Sequence, residues 1–276
     1  MIAGTSPGIV EWMRAPQASD REFQQGYLQI DFPSDPFDSS WKLLRRSARV
    51  YFSNLRFLAA VTLAVFLPAK LALQLILYWL DVPKGGIAAY LALDLSDLIL
   101  SALAVPAAIY GLLERFRTGI TAPVGRSLRW GRRQWPKMLW TKLKVEITIT
   151  LWSALFLVPG IIAMVRLIFA DPIVAIEADR EASVLERSRT LTRGLGRRIF
   201  AVLVPVLIVD LAGTVLVLDA IGGASAPRPL IALVDSLLSV AGQWSTVIVL
   251  LMYLGVVPSP KAGSRKSAGK PARKNS

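Results

Sequence analysis

VEITITLWSALFLVPGIIAMVRLIFADPIVAIE, residues 145–177, is the stretch whose reading decides the fold. Two basic blocks flank it. Before it stand Arg115, Arg117, Arg126, Arg129, Arg132, Arg133, Lys137, Lys142 and Lys144, and after it Arg180, Arg187, Arg189, Arg193, Arg197 and Arg198. Short loops of membrane proteins that carry Lys and Arg stay on the cytoplasmic side. If the stretch crosses a membrane once, the two blocks face opposite sides; if it crosses twice, they share one. The charge rule therefore reads two crossings. Pro159 and Gly160 sit near the centre, where a helix would break and the chain reverse. Each arm is then about 15 to 18 residues, short of the roughly 20 that a full span needs. The expectation is a tight helical hairpin, either two short spans or a re-entrant pair shielded by neighbours. A single kinked crossing, giving five in all, is the alternative.

Working outward, residues 57–80 and 87–113 are long apolar runs joined by a turn-like linker, and 199–218 and 230–257 are two more joined by a Gly-rich loop. All but two of the 32 Lys and Arg residues fall outside these four runs and the stretch 145–177; the exceptions are Lys70 and Arg166. The fold expected is all-α, a polytopic transmembrane helical bundle of about six membrane segments in three hairpins, with both termini cytoplasmic. Residues 1–40 read as a flexible polar N-terminal arm, 41–257 as the transmembrane helical domain, and 258–276 as a basic disordered tail. Residues 41–56 place Trp41, Leu44, Ala48, Tyr51, Phe52 and Leu55 on one stripe, the pattern of an interfacial helix. The basic block 115–144 is expected on the cytoplasmic surface, with Trp130, Trp135 and Trp140 at headgroup level.

Composition agrees, with 54% hydrophobic residues and a mean hydropathy of +0.50. The formal net charge of +13 would suggest nucleic acid on a soluble fold. Here the cations flank apolar runs, so the expected partners are membrane lipids with anionic headgroups at the cytoplasmic face, not nucleic acid; a protein partner is left open. With no Cys and no His, disulfides, thiolate or imidazole metal sites and the commonest general base are all excluded. No phosphate-binding glycine loop, metal spacing or paired nucleophile is present. No catalytic residue, cofactor or metal is expected. Residues 1–40 lack a basic start followed by an apolar core, so no cleavable leader is expected and the first span directs insertion.

The run 158–200, VPGIIAMVRLIFADPIVAIEADREASVLERSRTLTRGLGRRIF, carries Pro159, Gly160, Arg166, the step from Phe169 to Pro172, Glu177, Ser188, Leu191, Thr192 and Gly194 ahead of a new apolar helix. This run resembles the signature of the six-span membrane domain fused to some glycerophosphoryl diester phosphodiesterases and found alone in uncharacterised bacterial inner-membrane proteins. The resemblance implies a bundle of three helical hairpins in a bacterial inner membrane. It does not imply phosphodiesterase activity, which in the fused enzymes belongs to a separate domain using His and acidic residues around a metal. At position 189 an Arg stands where the pattern favours an aromatic. Read without the family, residues 183–198 form a docking helix with Val184, Leu185, Ser188, Leu191 and Thr192 on one face.

Ionisable groups inside apolar runs are costly and are functional candidates by default. Here they are Lys70, Asp94, Asp97, Arg166, Asp171, Asp210 and Asp235. Counted from the outer end of each segment, all seven fall in the outer half or near the midplane, and Lys70 facing Asp97 across the first hairpin is the best single pair. Two readings follow. In one, Lys70 and Asp97 hold the hairpin while Arg166 and Asp235 reach the surface, and the chain is a structural or regulatory membrane component without catalytic activity. In the other, the surplus carboxylates line the polar cavity of a small transporter or channel.

Overall fold

The chain is described by a computed structural model covering residues 40–177, 183–222 and 225–257. Apart from Ser40, the N-terminal arm lies outside the described residues, as does the basic tail. The elements are α1 (Ser40–Ser53), α2 (Leu55–Trp79), α3 (Ile87–Thr118), α4 (Val124–Leu155), α5 (Leu157–Leu167), α6 (Ala170–Ile176), α7 (Val184–Leu191), α8 (Gly196–Ala220) and α9 (Arg228–Val256). No strand occurs among the described residues.

Five segments are long and apolar enough to cross a membrane: α2, α3, the run Val158–Ile176 through α5 and α6, α8 and α9. α2 and α3 form an antiparallel hairpin whose register is fixed along its length. Arg115 donates to Asn54 Oδ1 at 2.6 Å near one end. Gly111 faces the Phe57 ring so closely that any Cβ would collide with it. Lys70 meets Asp97 further along. The connecting turn places Asp81 at φ 51° and Gly85 at φ 76°, left-handed conformations that Asp tolerates and Gly adopts freely. The α2–α3 turn is tied to the one before α9, because Lys84 Nζ donates to Ala226 O at 2.8 Å and Arg228 to Val82 O at 2.7 Å.

The decisive stretch folds back on itself, at a different residue from the one expected. α4 ends at Leu155, Phe156 is extended with φ −158° and ψ 142°, and α5 begins at Leu157. A helix running on through Pro159 would drive its ring against the carbonyl four residues earlier, that of Leu155, and lose the bond to it. The proline thus acts upstream of its own position. Pro159 itself sits in the first turn of α5, where a missing N–H costs nothing. The reversal is antiparallel, with Gly160 packed on Ser153 so tightly that a Cβ would strike its backbone and side chain, and with Lys142 Nζ bonded to Asp171 Oδ2 at 2.9 Å. Both pairs are symmetric about the Phe156–Leu157 step.

The first arm of this hairpin is not a separate helix. It is the last third of α4, residues 145–155, roughly 16 Å at 1.5 Å per residue. The rest of α4 is the basic block, which packs antiparallel along α3. Trp130 stacks on Tyr110 with centroids 5.3 Å apart, a Cβ on Gly131 would strike Leu103 O, and Trp135 Nε1 donates to Ile99 O at 3.1 Å. Trp130 is buried, so the expected trio of headgroup tryptophans is corrected to two; Trp135 and Trp140 are exposed, at 36% and 58%. In α1 the buried face is Leu43, Ser47 and Tyr51, a quarter turn from the expected stripe, and Trp41 and Phe52 are left exposed. Polar contacts choose that face: Trp244 Nε1 donates to Ser47 Oγ and Tyr51 Oη donates to Val240 O, at 3.1 and 3.0 Å. Burial raises the Tyr51 phenol above its usual value, so it remains a donor throughout the neutral range.

Candidate functional site

Three of the seven candidate ionisable residues meet at one point. Lys70 on α2 is fully buried and lies 2.5 Å from Asp97 Oδ1 of α3. It also bonds Asp235 Oδ2 of α9. Its ammonium stands 5.8 Å from the Phe66 ring centroid, and Gln74 is buried one turn further along α2. The α2–α3 register dictates the Asp97 contact. On one of the two readings Asp235 reaches the surface; the packing of α9 on α2 brings it inward to Lys70, something no local sequence signal reveals across 165 positions. The two carboxylates are partly open, with side chains 44% and 27% exposed. Asp94, one turn before Asp97, is exposed and has no ion-pair partner among the described residues. One cation thus faces two carboxylates, with a third close by.

The other candidates lie elsewhere. Asp171 pairs with Lys142 of α4. Asp210 of α8 is exposed, its Oδ1 3.9 Å from where a Cβ on Gly242 of α9 would stand. Arg166 is exposed on α5, while its backbone anchors a second constellation.

That constellation is a knot at the break between α5 and α6. Pro172 repeats the device of Pro159, its ring excluding a continuous helix at the Ile168 carbonyl. The interruption leaves the Phe169 N–H and the Arg166 C=O without helical partners, and such groups must find others when buried. Ser188 and Thr192 of the α7 region supply them. Phe169 N–H donates to Ser188 Oγ at 3.2 Å, Ser188 Oγ donates to Arg166 O at 2.9 Å, and Thr192 Oγ1 donates to the same carbonyl at 3.3 Å. Glu177, at the end of α6, accepts from Tyr253 Oη at 2.5 Å and faces Arg187 Nε at 3.5 Å. Phe169 meets the Tyr253 ring edge-on, centroids 6.0 Å apart. α7 is capped by Ser183, whose Oγ accepts from Glu186 N–H at 3.2 Å, and is shorter than expected. It stops at Leu191, and Gly194 at φ 80° turns the chain into α8. Pro159, Gly160, Pro172, Glu177, Ser188, Thr192 and Gly194 thus have structural duties in one region. Leu191 closes α7 and is half-buried.

No cluster of three or more potential metal-ligating side chains occurs among the described residues. Comparison with protein-family models, curated proteins and solved structures returned no match. The apolar helices make the chain an integral membrane protein of several spans; beyond that class the arrangement of residues must speak for itself.

Proposed function

We propose that the chain is a non-catalytic, structural or regulatory membrane component of six segments, related to the membrane-domain family that residues 158–200 resemble. On this reading α4's apolar end and α5–α6 form the short third hairpin, and the two basic blocks and both termini face the cytoplasm of a bacterial inner membrane. The observation that carries it is Lys70, fully buried between carboxylates from two other helices. A buried charge held this way joins helices, and loss of its partners leaves it uncompensated. The test compares Asp97→Asn and Asp235→Asn singly with the triple variant Lys70→Met/Asp97→Asn/Asp235→Asn, scoring abundance and thermal stability in detergent. A structural clamp predicts that the singles lose stability and the triple regains it, because removing a whole buried ion cluster is often neutral.

The openness of Asp97 and Asp94 favours one rival, a small transporter whose carboxylates exchange protons or cations with the outer side. That reading predicts normal abundance in the single variants together with lost ion or proton flux in vesicles, an outcome that would sink the clamp.

A further inference from the structure

A cavity of about 740 Å³ opens between α5, α7 and the start of α8, away from the lysine cluster. Four guanidinium groups line it, those of Arg166, Arg189, Arg193 and Arg197, against Glu186 as the one carboxylate among its described lining residues. All four arginines are exposed, and none has an ion-pair partner among the described residues. α8 starts at Gly196 with Leu195 at the capping position, no side-chain cap and no acidic residue in its first turn. The N–H groups of Gly196 and Arg197 therefore point to no protein acceptor among the described residues, and both residues line the cavity. An uncapped helix start lining the same cavity as four arginines is suited to an anion. The lining is also apolar in part, through Ile161 and Ile162 on α5 and Phe200 on α8. Ile162 and Phe200 are 46% and 41% exposed. From them the exposed apolar faces of α5 and α8 continue, through Val158 on one and Leu207 and Ile208 on the other.

From this we infer that the cavity binds the phosphate of an anionic membrane glycerophospholipid, its headgroup held by the arginine quartet and the start of α8, its acyl chain lying between α5 and α8. Guanidinium forks suit phosphate oxygens, and apolar lining residues in the same cavity suit a chain; a free phosphate ion would have no use for Ile162 or Phe200. The inference rests on the reading of the chain as a membrane protein. It differs from diffuse attraction of a basic surface to anionic headgroups in naming one pocket and one stoichiometric ligand.

The test uses the full chain purified in a non-ionic detergent, titrated with phosphatidylglycerol or phosphatidylcholine, affinity being read from the ligand-dependent rise of the unfolding midpoint. Phosphatidylglycerol raises the midpoint and phosphatidylcholine does not. The variant Arg189→Gln/Arg193→Gln/Arg197→Gln binds phosphatidylglycerol at least about 100-fold more weakly, at roughly tenfold per charge-assisted contact, while its lipid-free midpoint stays unchanged because these side chains are exposed. Arg45→Gln/Arg49→Gln on α1 leaves binding as it was. Equal loss in the α1 variant, unchanged binding in the triple variant, or displacement of the lipid by inorganic phosphate overturns the proposal, the last in favour of a soluble phosphate ligand. Alkaline extraction of membranes separates the two readings: a chain that stays in the membrane yet ignores phosphatidylglycerol refutes the pocket alone, whereas a released chain refutes membrane integration itself.

Discussion

Lys70 has no solvent to retreat to, so the free energy of its charge rests on Asp97 and Asp235. Replacing both by Asn leaves an orphaned buried ammonium, and the expected loss is about 3–5 kcal/mol, discounted towards the low end because both carboxylates are partly wet. A fall in the detergent unfolding midpoint of the double variant measures it. Ser188 plays the analogous part for uncharged groups. Ser188→Ala leaves the Phe169 N–H without its acceptor and removes one of two donors to Arg166 O, an expected cost of about 1–3 kcal/mol. Thr192→Val costs less, since Arg166 O keeps its shorter bond from Ser188. Matched unfolding curves of the two variants should show that order. At this scale the sequence was partly legible. The opposition of Lys70 and Asp97 follows from counting back along two helices joined by a short turn, and the intramembrane charges announce themselves by their surroundings. Asp235 could not be placed, because nothing local says which helix α9 touches. Ser188 and Thr192 stood out as a pattern, while their purpose, satisfying a break created by a proline sixteen to twenty positions earlier, needs three dimensions.

Among the elements, the hairpin of α4 with α5–α6 depends on close approach. Gly160→Val inserts a branched side chain where even a Cβ meets the Ser153 backbone, and Gly131→Val does the same against the Leu103 carbonyl on α3. Overpacking of this kind costs typically about 1–3 kcal/mol, and more where the obstacle is backbone that cannot swing aside. Both variants should show reduced midpoints, whereas Gly125→Ala, with nothing near its would-be Cβ, should be neutral or slightly stabilising through higher helix propensity. The reversal itself was legible from Pro159, but its position was not. A proline forbids the hydrogen bond and the space four residues upstream, so the turn falls at Phe156 while Pro159 remains helical. The same shift explains why Pro172 marks a break at residues 168–169. In the basic block, charge density hid a packing face: Ser127, Trp130, Gly131, Met138 and Thr141 are buried and let α4 dock on α3 while its arginines turn outward.

For the whole molecule, five segments satisfy the length of a bilayer and the apolar end of α4 falls short of it, which makes the sidedness of the turn at Phe156 the decisive observable. The chain has no Cys, so single replacements at Pro83, Phe156, Arg189 and Ser225 report topology cleanly with an impermeant thiol reagent. Six segments predict Pro83 and Ser225 reachable only from outside and Arg189 only from within. Phe156 reacts from outside if the hairpin spans fully, and from neither side if its tip stops inside the bilayer. Labelling of Arg189 from outside means five crossings and ends the six-segment reading. The all-helical bundle was legible because burial in lipid imposes a hydropathy pattern stronger than any propensity; the lipid cavity was not, because its arginines come from three elements that only the turn at Gly194 brings together. The brevity of the Phe156 turn also bears on how the protein is made. On the six-segment reading, residues 145–155 at the end of α4, with Glu146, Thr148, Thr150 and Ser153 among them and a basic block behind them, do not suffice for the translocation machinery to release them sideways into lipid on their own. They wait until α5 and α6 have emerged and can pair with them, so the two arms enter the bilayer together, late, as one preformed unit. Nascent chains truncated near residue 160 should accordingly remain extractable at that segment, while chains extending past 177 should not.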